Sequence, residues 1–190
     1  MLVLIPLVVG LAVGIATGGK LGNLANVRFR WPWFVLAVLV IREAILFRPF
    51  SGIDGIQYLY VAALAGLVGW TLIHVRRLRG AWLVAAGAAL NLLAVVANGG
   101  RMPVAAALAG VLVQRNHLGQ YVLMGSNTNL NWLADWITVS GPAGIRGAYS
   151  PGDVLVAVGI GVVAYFATRQ RTPSTTKLIE TSSRIGDYPP

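Results

Sequence analysis

The feature that most constrains this chain is a series of apolar stretches, each close to the length that crosses a lipid bilayer. A helix spanning the hydrocarbon core needs about 20 mainly apolar residues. Residues 1–17, 31–47, 56–75 and 81–98 have that character, and 153–168 is shorter but strongly apolar. Only structures that pair all their backbone groups internally can cross lipid, and a helix does so within one segment. The pattern predicts an all-α, polytopic transmembrane helix bundle with about five spanning helices. The first run has no charged leading region and no Ala-x-Ala step before Gly18-Gly19-Lys20, so it reads as a retained helix rather than a cleaved signal.

Composition agrees with this reading. Charged residues make up 11% of the chain and hydrophobic residues 56%, with a mean hydropathy of +0.70. Soluble domains carry roughly 25% charged residues, so this chain lacks the polar surface of a water-soluble monomer. The net charge of +9 invites a nucleic-acid reading, but the 15 Lys and Arg fall in short clusters between apolar runs rather than on one basic stripe. The expected partner is the lipid bilayer, not nucleic acid. With no cysteine, disulfides, thiolate chemistry and Cys-based metal sites are excluded.

Charge placement predicts orientation. Lys20, Arg28 and Arg30 lie between helices one and two, Arg76, Arg77 and Arg79 follow helix three, and Arg169, Arg171, Lys177 and Arg184 follow helix five. Five helices put these ten residues on one side and leave Arg48, Arg101, Arg115 and Arg146 on the other. The positive-inside rule then places the N-terminus outside and the C-terminus in the cytoplasm, in a multi-pass plasma (inner) membrane protein. Residues 1–168 form the transmembrane domain, and 169–190, rich in Thr, Ser and Pro, form a cytoplasmic tail expected to be disordered.

The outer segment, 99–152, is too long for a turn. Its apolar piece 104–113 is too short to span and suits an interfacial or re-entrant helix. The piece 129–139 carries Trp132 and Trp136 four residues apart, which suits a helix lying at headgroup level. One or two short outer helices are therefore expected.

Several residues invite chemistry. Gly10, Gly14 and Gly18 recur every four residues, a stripe that lets another helix approach, either from this chain or from another membrane subunit. The run Gly18–Asn26 is glycine-rich but lacks the Lys-Ser/Thr pair and the preceding strand of a phosphate loop. Its Asn side chains suit helix-end capping instead. Arg42 and Glu43 lie inside helix two, where charge is costly; Glu43 is a candidate interior acid or a partner for Arg101. Asn91 and Asn98 are seven residues apart on helix four, with Gly87 a turn below, so that face must look into the bundle. After Asn98, two glycines, Arg101 and Pro103 break the helix; a cap and turn, or an outward-facing polar cavity, would both fit. His74 and His117 show no metal-ligand spacing, and His117 with Asp135 is at best an acid–base pair of unknown proximity. No catalytic constellation or metal site is recognised, and no cofactor is indicated. The candidate polar cluster is Asn91, Asn98, Arg101, Asp135 and Asp153, with Asp135 and Asp153 as partners for Arg101 and Asp153 also facing the helix-five dipole.

The run Asn98-Gly99-Gly100-Arg101-Met102-Pro103-Val104, after an apolar helix containing an Asn, resembles a family of small bacterial integral membrane proteins defined only as a domain of unknown function. The stretch 19–26, Arg30-Trp31-Pro32-Trp33, Leu123-Met124, Thr128-x-Leu130, Leu133-x-Asp135 and Ser150-x-Gly152-Asp153 extend the resemblance over nearly the whole chain up to helix five. The chain departs from it after Asp135, where Trp136 to Pro142 replace a proline-rich stretch. The resemblance implies a fold and topology and no activity. A non-catalytic membrane component, such as an accessory subunit of a larger complex, is the leading expectation. A small transporter or channel-like protein with its site at the helix-four break comes second, and a membrane enzyme with an outward-facing site third.

Overall fold

The structure is a computed structural model that describes residues 2–27, 30–46, 55–108, 120–139 and 147–170. Among them lie five α-helices: α1 (Leu4–Ala16), α2 (Pro32–Leu46), α3 (Ile56–His74), α4 (Ala81–Ala97) and α5 (Pro151–Thr168). Each falls within an apolar run read from the sequence or overlaps it closely. Two of them, α3 and α5, are long and apolar enough to cross a membrane by length and composition; α1 and α4 are apolar but shorter. The fold is mostly helical, and the expected tail beyond residue 170 lies outside the described residues.

The helices pack side by side in the order α2, α3, α4, α5, α1. Small residues set the closest approaches. Gly87 on α4 and Gly152 at the head of α5 are so near that a methyl on either would strike the other's backbone carbonyl, and Gly159 meets Val84 in the same way. Helix α5 therefore runs antiparallel to α4. On its other side it meets α1, with Gly10 against the Gly161 carbonyl and Gly14 against Thr168 and the Tyr165 carbonyl. These contacts pair the late part of α1 with the late part of α5, so those two helices are parallel.

That alternation sorts the chain into two ends. At one end the Lys20 N–H donates to Thr168 O (2.8 Å), and Asn23 Nδ2 donates to the same carbonyl (2.6 Å). The 3₁₀ turn Leu21–Asn26 thus caps α5, the role its asparagines suggested. Here too the buried His74 ring closes α2 onto α3. Its Nε2 accepts from the Arg30 N–H (3.0 Å), and Nδ1 faces Trp70 O (2.8 Å). Both bonds form only when the proton sits on Nδ1.

At the other end is a small β-containing cap. Strands β1 (Met102–Val104) and β2 (Tyr121–Leu123) pair in parallel, with Pro103 opposite Val122. Strands β3 (Ile137–Val139) and β4 (Gly147–Tyr149) pair antiparallel, with Thr138 opposite Ala148. This corrects the expected outer helix over 129–139. Leu130 takes a left-handed φ of 54°, which stops a right-handed helix. Only one 3₁₀ turn, Asn131–Leu133, forms before the chain extends at Ala134. Beyond it the β-branched Ile137, Thr138 and Val139 favour a strand. In the piece 104–113, Val104 is a strand residue and Ala106–Leu108 is 3₁₀; residues 109–113 lie outside the described residues.

Candidate functional site

The site is built outward from the end of α4. Its last carbonyls are closed by a Schellman turn: Gly100 N–H donates to Val95 O (2.9 Å) and Gly99 N–H to Val96 O (3.3 Å). This arrangement needs left-handed backbone, and Gly99 (φ 64°) and Gly100 (φ 86°) supply it. Asn98, the C-cap, turns its side chain to the cap. Its Nδ2 donates to Asn129 O (2.9 Å) and its Oδ1 accepts from Asn129 N–H (2.8 Å). Asn129 Nδ2 returns a bond to Ala97 O (3.0 Å). The two asparagines hold the distant 129–135 segment on the end of α4.

Strand β1 then runs through the middle of the cap, with Met102, Pro103 and Val104 all buried. One edge takes β2. The other takes Asp135, whose N–H donates to Pro103 O (2.9 Å) and whose carbonyl accepts from Ala105 N–H (3.1 Å). Pro103 lacks an N–H but keeps the acceptor this pairing uses. Leu133 and Ala134, fully buried just before Asp135, anchor the segment further.

A second polar group joins α4 to α5. Ser150 is the N-cap of α5, Pro151 occupies its first turn, and Asp153 completes a capping box. Asp153 N–H donates to Ser150 Oγ (2.9 Å) and Ser150 N–H to Asp153 Oδ2 (3.1 Å). Asn91 bridges from α4: its Nδ2 donates to Asp153 Oδ1 (2.7 Å), and its Oδ1 accepts from Ser150 Oγ (2.7 Å). Gly152 makes room for it, since a methyl there would collide with Asn91 Oδ1.

Beneath the cap lies a cavity of about 350 Å³. Helix α3 lines it with Tyr60, Ala63, Leu64 and Leu67, and α4 with Ala88, Asn91 and Val95. Both sets recur at three- and four-residue steps, so each is one helical face. Asp153 and Val156 contribute from α5, and Met102, Gln120, Tyr121 and Asp135 form the roof. Two roof atoms are buried without a hydrogen-bond partner among the described residues, Asp135 Oδ1 and Gln120 Nε2. Asp135 is 7% exposed. Burial first, and the nearby Asp153 carboxylate second, push its pKa up to about 8.

The structure thus gathers Asn91, Asp135 and Asp153 around one cavity and sends the other candidates elsewhere. Asn98 clamps the cap from its own side of the α4 terminus. Arg101 is exposed, and among the described residues it forms no ion pair; Asp153 takes Asn91 and Ser150 as partners instead. Glu43 lies where only the backbone of α2 is described, and His117 lies outside the described residues. In the glycine stripe, Gly10 and Gly14 are buried against α5 of the same chain, while Gly18 (φ 93°) faces open space. Gln120 and Tyr60 had no local signal. Ser150 had one: Ser-Pro-Gly-Asp is a readable helix start.

No curated protein and no solved structure matches this chain. One family profile does, over residues 26–165, from the turn that caps α5 to the penultimate turn of α5 itself. The chain belongs to the family of unknown function DUF5317.

Proposed function

We propose that this chain is a non-catalytic, multi-pass component of the plasma (inner) membrane in which all five helices cross the bilayer. The supporting observation is the distribution of uncovered apolar surface. Val8 on α1, Val40 on α2, Leu72 on α3, Leu93 on α4 and Val158 on α5 are all exposed, and only 6% of the apolar window of α3 is buried. A core helix of a soluble protein would be covered; these have nothing over them but solvent or lipid. Exposed tryptophans flank the band, Trp31, Trp33 and Trp82 at the basic end and Trp132 and Trp136 at the capped end. Indole rings favour both membrane interfaces. The basic end faces the cytoplasm and the cap faces out. Helices α1, α2 and α4, of 13, 15 and 17 residues, are short for a full crossing, and flanking basic and aromatic residues accommodate that mismatch.

Within this reading the polar groups are mostly structural, joining helix to helix and cap to helix, which suits an accessory subunit whose exposed apolar faces meet lipid or other subunits. A second reading, a small transporter, is favoured by the cavity beneath the cap. Its site would then be that cavity rather than the α4 break itself. Alkaline carbonate washing of native membranes tests the membrane placement. The full-length chain should stay in the pellet and be released only by detergent; release by carbonate alone would refute it.

A further inference from the structure

We infer that the cavity beneath the cap binds a small organic cation, an ammonium group with a nearby hydroxyl on an apolar body, with Asp135 taking the charge and Gln120 Nε2 donating to the hydroxyl oxygen. The inference rests on the membrane reading only for which side the site faces. It starts from two buried polar atoms that line one cavity without partners, Asp135 Oδ1 and Gln120 Nε2. Buried acceptors and donors in folded proteins nearly always have partners, so an unmatched pair around shared space points to a guest. One is an acceptor and the other a donor, so the guest must offer both.

Charge decides which guest. The chain is strongly basic, yet among the described residues the acidic and basic side chains lining this cavity are two carboxyls, Asp135 and Asp153, with no Lys, Arg or His. An anion would meet the Asp153 charge with no described cation to offset it. A bare metal ion is poorly served, because Asp153 is already bonded to Asn91 and to the Ser150 N–H, and no group of three metal-binding side chains occurs among the described residues. Apolar side chains, Leu64, Leu67, Val95 and Val156 among them, line much of the rest and suit a hydrocarbon or ring. A cavity of about 350 Å³ falls at the low end of small-molecule sites.

Binding carries a proton consequence. Asp135 holds its proton up to about pH 8 through burial and the Asp153 charge. Among the described residues, the other titratable groups lining the cavity are Asp153 from α5, Tyr60 from α3 and Tyr121 from β2. An entering ammonium favours the carboxylate, so one proton leaves to water for each cation bound near neutral pH.

The test uses the full-length chain purified in mild detergent, with 2-hydroxy-2-phenylethylammonium as probe and hexanoate, the uncharged 2-phenylethanol and sodium ion as comparisons. Calorimetry should show saturable binding of 2-hydroxy-2-phenylethylammonium, proton release at pH 7, and much weaker binding of the other three. Asp135→Asn should weaken the ammonium at least tenfold while the protein stays monodisperse, and Leu67→Trp should block it by filling the cavity. No saturable ammonium binding by the folded wild-type protein would overturn the inference, as would equal binding by Asp135→Asn or equal binding of 2-phenylethanol or sodium. A failed membrane placement would leave these titrations unchanged, so the two failures are distinguishable.

Discussion

Asn91 Nδ2 donates to Asp153 Oδ1 at 2.7 Å, across the interface between two antiparallel helices and 62 residues apart in sequence. With the return bond from Ser150 Oγ, both ends of the Asn91 amide are used. The same side chain ties α4 to α5 and fixes the N-terminus of α5. Asn91→Leu should therefore lower stability by about 1–3 kcal/mol, because it leaves the Ser150 hydroxyl hydrogen without its acceptor and Asp153 Oδ1 without its donor. A fall in the detergent melting temperature would show this; an unchanged melt would mean the bridge is incidental.

Asn98 does a different job, holding the cap through Asn129. Asn98→Ala should free the 129–135 segment, costing about 1–3 kcal/mol and speeding amide exchange at Asn129 and Asp135 more than along α3. Uniform exchange would contradict the clamp. Arg101→Ala, by contrast, should change stability by no more than about 0.5 kcal/mol, since its side chain is exposed.

Helix α1 depends on its glycines only where α5 lies over them. Gly14→Leu should destabilise by about 1–3 kcal/mol through overpacking against Thr168 and the Tyr165 carbonyl. Gly22→Ala, which meets nothing within 4 Å, should be close to neutral. Equal effects at both positions would count against the α1–α5 packing.

Asp135 gives the fold a pH dependence. Its carboxyl, at about 8 when folded against an ordinary 3.8, keeps a proton that the unfolded chain releases. Stability should therefore be greatest at low pH and decline as pH rises from about 4 to about 8, by at most ~1.4 kcal/mol per unit. Melting temperatures of Asp135→Asn should vary less over that window. A variant that declines as steeply as the wild type would show that another group sets the slope.

The helices were legible because each is a long apolar run, a signal that needs no knowledge of the partner. The head of α5 was legible too, though the apolar run alone started it two residues late, at Asp153 instead of Pro151. The cap was not legible. Its strands are three residues long, and β1 finds its partners at residues 121–123 and at Asp135, pairings made by backbone groups that carry no side-chain signature. Arg101 looked like the centre of the polar cluster because it is a cation at a membrane boundary. The Schellman turn leaves its side chain in the open, and Asp135 reaches the cavity through its backbone bonds to β1 instead. Trp132 and Trp136 do associate, Trp136 Nε1 donating to Trp132 O at 3.1 Å, but across a 3₁₀ turn rather than along a helix.

The topology proposed above has alternating helices with the basic end in the cytoplasm and the cap outside. Single cysteines test it directly, since the chain has none of its own. Arg77→Cys, Asn127→Cys and Leu178→Cys would each be treated with a membrane-impermeant maleimide in intact cells and again after lysis. Position 127 should label in intact cells, and positions 77 and 178 only after lysis. Labelling of 77 or 178 in intact cells, or protection of 127, would contradict it.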